Sequence, residues 1–160
     1  MCKVNYNVYS VEAVANCVLS VARSRNIEIT NLKLQKLVYF VQGFALAFLE
    51  HPLFHEEIQA WTYGPVIPAL YHRLKRYGAG VVSGTLQAPD TLNQDAQALA
   101  VVELVMDKLG NLTVTHLVRL SHMEKSPWDA AWKCGKYSRI PLWQMALYFK
   151  EMLTPQPEKR

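Results

Sequence analysis

From Asn31 to Leu49 the chain reads NLKLQKLVYFVQGFALAFL, and this stretch limits the fold more than any other. Leu34, Leu37, Val38, Val41, Ala45 and Phe48 recur at helical spacing, with Tyr39, Phe40 and Phe44 beside them. Apolar side chains therefore cover more than one stripe of a helix, and such a helix needs neighbours on most sides. The segment is predicted to be the hub of a multi-helix core, capped by Thr30 or Asn31 and ended by Pro52. Its polar positions, Lys33, Gln35, Lys36 and Gln42, read as a polar edge. Crossing a bilayer takes about 20 apolar residues. The run from Leu37 to Leu49 is shorter and is interrupted by Gln42 and Gly43.

Other helices follow from cap and stop signals. Ser10 precedes Val11, Val14, Ala15, Val18, Leu19 and Ala22, one apolar face, and Asn26 is a stop. Pro68 suits the first turn of a third helix over 69–77, closed by Gly78. Thr91 or Asn93 is read as the cap of a helix closed by Gly110, and Thr113 as the cap of the next. Ser126-Pro127-Trp128-Asp129 combines an N-cap, a proline at the first helical position and an acid at the third. Pro141 opens the last helix. The expectation is a mainly α, single compact domain of about seven helices. A short extended or β segment lies around residues 57–63, where Ile58, Ala60 and Thr62 alternate with Gln59, Trp61 and Tyr63. Residues 78–90 form the loosest internal stretch, with a short strand at Val81-Val82.

With 51% apolar and 19% charged residues over 160 positions, one core and one domain spanning 1–160 are expected. The tail 154–160 is expected to be disordered. The three cysteines, Cys2, Cys17 and Cys134, form no C-x-x-C pair, so a reduced cytoplasmic protein without zinc is the default. MCKVNYNVYS lacks the layout of a signal peptide. The net charge of +4 permits an acidic or nucleic-acid partner without requiring one.

Catalytic patterns are thin. His51 and His55 flank Pro52, so they do not share a helical face, and no metal-ligand spacing occurs. Ser121, His122 and Asp129 supply the residue types of a triad, but Ser121 and His122 are neighbours pointing about 100° apart on a helix. His122 is expected instead to hydrogen-bond the turn capped by Ser126. Gly78-Ala79-Gly80 lacks the remaining features of a phosphate loop. Two basic groups, Arg73, Lys75 and Arg76, then Lys133, Lys136 and Arg139, are balanced against the simpler role of cations at helix C-termini.

Residues 58–74, IQAWTYGPVIPALYHRL, concentrate aromatics, glycine and proline at one corner. Together with T-N-L-K-L-Q-K-L-V-Y-F at 30–40, they carry a resemblance. Thr30 to Phe40, then Pro52-Leu53-Phe54 with Ala60-Trp61, Tyr63-Gly64-Pro65-Val66 and Pro68, resemble the first blocks of the Panacea domain, the SocA-like antitoxin family. Leu120-Ser121-His122, Pro127-Trp128, Ile140 and Tyr148-Phe149 resemble the later blocks, in family order from about residue 10 to 150.

The resemblance implies an antitoxin of a toxin–antitoxin pair, often prophage-associated. It would bind a cognate toxin encoded by a neighbouring gene, and could also act as an adaptor to a cellular protease. No catalytic residue, cofactor or metal is implied, and the alternative is a basic nucleic-acid-binding regulator. Candidates for partner contact are Tyr63, Tyr71, Arg73 and Arg76 at the corner, with Lys33 and Lys36 on the hub's polar edge. Leu34, Leu37, Trp61, Gly64, Pro65, Pro68, His122, Pro127 and Trp128 are assigned to the structural motif, with Trp61 anchoring the corner in the core.

Overall fold

The computed structural model describes residues 5–155, so Cys2 and residues 156–160 of the expected tail lie outside the described residues. Helix α1 (Val11–Ser24) begins where the Ser10 side chain accepts the backbone N–H of Ala13, and Asn26, at φ 55°, turns the chain away from it. Helix α2 (Asn31–Phe48) is capped by Thr30, whose side chain accepts from Lys33 N. Next come strands β1 (Gln59–Trp61) and β2 (Gly64–Val66), then helix α3 (Pro68–Leu74), with Pro68 in its first turn. A 3-10 turn (Lys75–Tyr77) extends α3 to Gly78. Helices α4 (Ala96–Leu109), α5 (Val114–Ser121), α6 (Pro127–Cys134) and α7 (Leu142–Leu153) complete the fold. The described residues are mainly helical, with seven α-helices, as the periodicity predicts.

Helix α2 is the hub: it packs against α1, α3, α4, α5, α7 and β2. Leu34, Leu37, Val38, Val41 and Ala45 are fully buried along it. Gly43 brings α7 close: a Cβ there would lie 2.3 Å from a ring carbon of Phe149. That ring is surrounded by Tyr39, Phe40 and Phe44, with centroids 5.7–6.1 Å away. Among the described residues no helix is long and apolar enough to cross a membrane.

The polar edge assigned to α2 is corrected. Gln35, Lys36 and Gln42 are all fully buried. They bond backbone groups at four positions of the chain between α2 and α3, Leu53, Phe54, Pro65 and Ile67. Gln42 Nε2 donates to Phe54 O at 2.7 Å while its Oε1 accepts from Leu53 N at 2.8 Å. Gln35 Oε1 accepts from Ile67 N at 3.0 Å and its Nε2 donates to Asn31 Oδ1 at 2.9 Å. Lys36 Nζ donates to Pro65 O at 2.9 Å.

Three local expectations change. Gly64-Pro65 does not end the extended segment but begins β2, antiparallel to β1 with Trp61 opposite Gly64. Gly64 takes φ +103°, which few other residues tolerate. The cap of α4 is Asp95, whose side chain accepts from Ala98 N, because residues 92–94 form a separate 3-10 turn. The Val81-Val82 strand reduces to a bridge between Thr30 and Val81. The loop around it is tied down, with Asn16 exchanging two hydrogen bonds with the Leu86 backbone at 2.7 and 2.8 Å.

Candidate functional site: an aromatic cleft beside the hairpin

Strand β1 is paired on both sides. Beyond β2, the segment after α6 runs alongside it: Tyr137 N donates to Ala60 O and Ala60 N to Ser138 O, at 2.9 and 2.8 Å. This places Tyr137, at φ 66° and 54% exposed, beside Trp61. The Trp61 ring meets Tyr137 edge-to-face at 5.5 Å, and Tyr71 of α3 at 5.1 Å. Its indole N–H donates to Gln59 Oε1 at 3.0 Å. Tyr63, at the hairpin turn, is 66% exposed. Together these rings, Val66, Lys75 and the first residues of α2 line an open cleft of about 420 Å³. Its lining is mostly apolar, with Asn31, Thr62 and a single lysine among it, a composition suited to holding an apolar group.

Tyr63 and Tyr71 therefore meet in one place, as the corner suggests. Trp61 is half-buried and forms a cleft wall rather than a core anchor. The other partner candidates do not line the cleft. Lys33 Nζ donates to Gly110 O at the end of α4, at 2.7 Å, and burial lowers its pKa. Arg73 approaches Glu12 of α1 at 3.6 Å. The Arg76 guanidinium sits 5.0 Å over the Tyr77 ring. Lys36 is withdrawn from the surface altogether, and burial pushes its pKa down to about 7. Tyr137 had no sequence signal: it sits outside the corner and is recruited only by pairing with β1.

Several motif residues converge behind the cleft. Leu34, Leu37, Gly64, Pro65, Pro127 and Trp128 are buried, and Pro68 is partly so. A Cβ on Gly64 would lie 2.8 Å from Ser121 Oγ and 3.0 Å from Lys36 Cε, so glycine leaves the space the lysine stem fills. The Trp128 indole N–H donates to Trp61 O at 2.8 Å, tying α6 to the end of β1.

His122 departs from expectation. Its ring does not bond the next turn; it stacks on Trp128 at 3.6 Å, and its Nε2 is buried without a hydrogen-bond partner among the described residues. Ser126 Oγ instead donates to Ser121 O at 3.0 Å. Burial, then the nearby Lys36 charge, lowers the His122 pKa and favours the neutral ring. No triad assembles: the Ser121 hydroxyl donates to Val118 O, while Asp129 accepts from Lys125 N and Lys133.

The fold and the cleft define a class, a small helical domain with an open aromatic cleft at its surface. The chain belongs to the SocA-like antitoxin family with a Panacea domain, which matches residues 34–129. It is also 32% identical over 126 residues to Antitoxin SocA of Caulobacter vibrioides (strain NA1000 / CB15N), covering 73% of this chain and 67% of that protein. No solved structure matches the chain.

Proposed function

We propose that this protein is an antitoxin that neutralises its cognate toxin by direct protein–protein contact in the cytoplasm, as a binding protein and not an enzyme. Family membership supports the antitoxin role and a toxin as partner in general. The single observation that favours direct contact is the open cleft in which Trp61, Tyr63, Tyr71 and Tyr137 are presented together. Tyrosine and tryptophan are the residues most enriched among binding hot spots, because each brings a large apolar area with little side-chain entropy to lose. A standard interface of about 1,600 Å² centred there would be enough to occlude a toxin's working surface.

The test is co-expression with the product of the neighbouring open reading frame. That product alone should arrest growth, and this protein should restore growth and co-purify with it. A toxic neighbour that is neither rescued nor captured would overturn the reading. Following the toxin's lifetime in the same cells separates occlusion from delivery to a protease: occlusion leaves the toxin abundant but silent.

A further inference from the structure

We infer that the cleft receives a bulky apolar side chain of the partner protein that is flanked by carboxylates, an inference resting on the direct-contact reading above. The first observation is the charge of the rim. Among the described residues no acid lines the cleft, and its one charged lining residue is Lys75. Arg76 follows Lys75 in the 3-10 turn, and Lys136 and Arg139 lie one residue before and two residues after Tyr137 in the chain. All four cations are exposed. Salt bridges among the described residues involve Arg25, Arg73, Lys133 and Lys150, and none of these four.

The second observation is the cleft's shape and lining. A volume of about 420 Å³ is at the small end of ligand-sized pockets, enough for one large side chain. A largely apolar centre with one lysine in its lining and exposed cations next to its lining residues in the chain matches the usual interface layout, in which the rim sets orientation and encounter rate. The partner segment then supplies the opposite charge. A nucleic-acid strand fits less well. Trp61 meets Tyr71 and Tyr137 at 61° and 87°, so these rings brace one another rather than forming parallel platforms for successive bases.

The probes are two labelled pentapeptides of matched length, each with a central tryptophan, one flanked by Asp and Glu and the other by Lys. They are titrated into the full chain at about 50 mM salt and followed by amide resonances. The acidic peptide should shift Tyr63, Tyr71 and Tyr137, and Lys75→Glu with Lys136→Glu should weaken it about tenfold at an unchanged melting temperature. These two lysines are exposed, so the double variant folds normally. Equal binding of both peptides, no binding of the acidic one, or an unaffected double variant would overturn the inference, as would tighter binding of a single-stranded oligonucleotide at the same resonances. The toxin itself supplies the separating arm. If wild type captures it and the double variant does so equally well, this inference fails and the antitoxin reading stands. If the acidic peptide binds but wild type never captures the toxin, the antitoxin reading fails and the chemistry of the cleft stands.

Discussion

Lys36 Nζ donates to Pro65 O at 2.9 Å from a side chain with no exposed surface. This bond joins the hub helix to the hairpin strand that backs the cleft. It belongs to a set: Gln35, Lys36 and Gln42 each reach from α2 to the backbone of residues 53–67. An irregular segment can run through the interior only if its N–H and C=O groups find partners, and α2 provides them. The corner's geometry is thus set by the helix beneath it as much as by its own glycine and prolines.

Stability should rise with pH above neutrality because of Lys36. Its pKa is about 7 in the folded protein against an ordinary 10.5. Between those values the unfolded chain binds a proton that the folded chain does not, so folding gains as pH increases, by at most about 1.4 kcal/mol per unit. Cys17 acts oppositely: its folded pKa of about 11 exceeds the ordinary 9.0, so its contribution falls once the unfolded thiol begins to ionise. Urea titrations from pH 7 to 8.5 keep the unfolded thiol mostly protonated, and since burial lowers the Lys33 pKa as well, the variant singles out Lys36. Lys36→Met should flatten the rise, and a variant with the wild-type slope would refute the assignment.

Gln42→Leu should be strongly destabilising although leucine suits a helix. The substitution strands Leu53 N and Phe54 O, both belonging to fully buried residues. Each orphaned group costs about 1–3 kcal/mol. A urea midpoint unchanged from wild type would show that water reaches the segment.

Gly43→Ala sets helix propensity against packing. Alanine gains about 1 kcal/mol in a helix interior. The new methyl would stand 2.3 Å from Phe149 Cε2, in a ring enclosed by Tyr39, Phe40 and Phe44. Overpacking of this kind costs about 1–3 kcal/mol, so the expected outcome is a lower melting temperature and displaced α7 resonances.

Trp128→Phe should keep an aromatic ring beside His122 and lose the indole bond to Trp61 O. The expected cost is about 1–3 kcal/mol, with faster hydrogen exchange along β1 than along α4. Uniform loss of protection in both elements would mean the bond has no local role.

Tyr63→Ala should reduce toxin capture with little effect on folding. The side chain is 66% exposed at a hairpin turn, where substitutions change stability by about 0.5 kcal/mol or less. A hot-spot tyrosine is worth about 2 kcal/mol or more in binding, about thirtyfold in affinity. Pull-down of the neighbouring-gene product beside a thermal melt reads both, and unimpaired capture would place Tyr63 outside the interface.

Much of the fold was legible because its signals are local. Ser10, Thr30, Thr113 and Ser126 each accept the N-terminal N–H that their cap positions predict. Pro68 starts α3, and the greasy run from Leu34 to Phe44 is the hub. The errors have physical causes. Gly64-Pro65 reads as a break by composition, yet Gly64 at φ +103° lets the chain reverse into a paired strand. Asp95 loses to Thr91 and Asn93 in the sequence because the preceding 3-10 turn imitates the start of a helix. Lys36 and the two glutamines read as solvated because their side chains are polar, and only their acceptors and donors in residues 53–67 make burial affordable.

The sequence by itself determined the helices, the order of the motifs and the family, since caps, periodicity and turn residues act over a few neighbouring positions. Tertiary structure alone decided which of those residues share a site. Tyr137 joins Trp61 because the segment after α6 pairs with β1, and Lys33 leaves the group because it reaches the end of α4. A side chain's polarity is written in its residue type, but whether it meets water, a carbonyl or a partner depends on contacts across the whole chain.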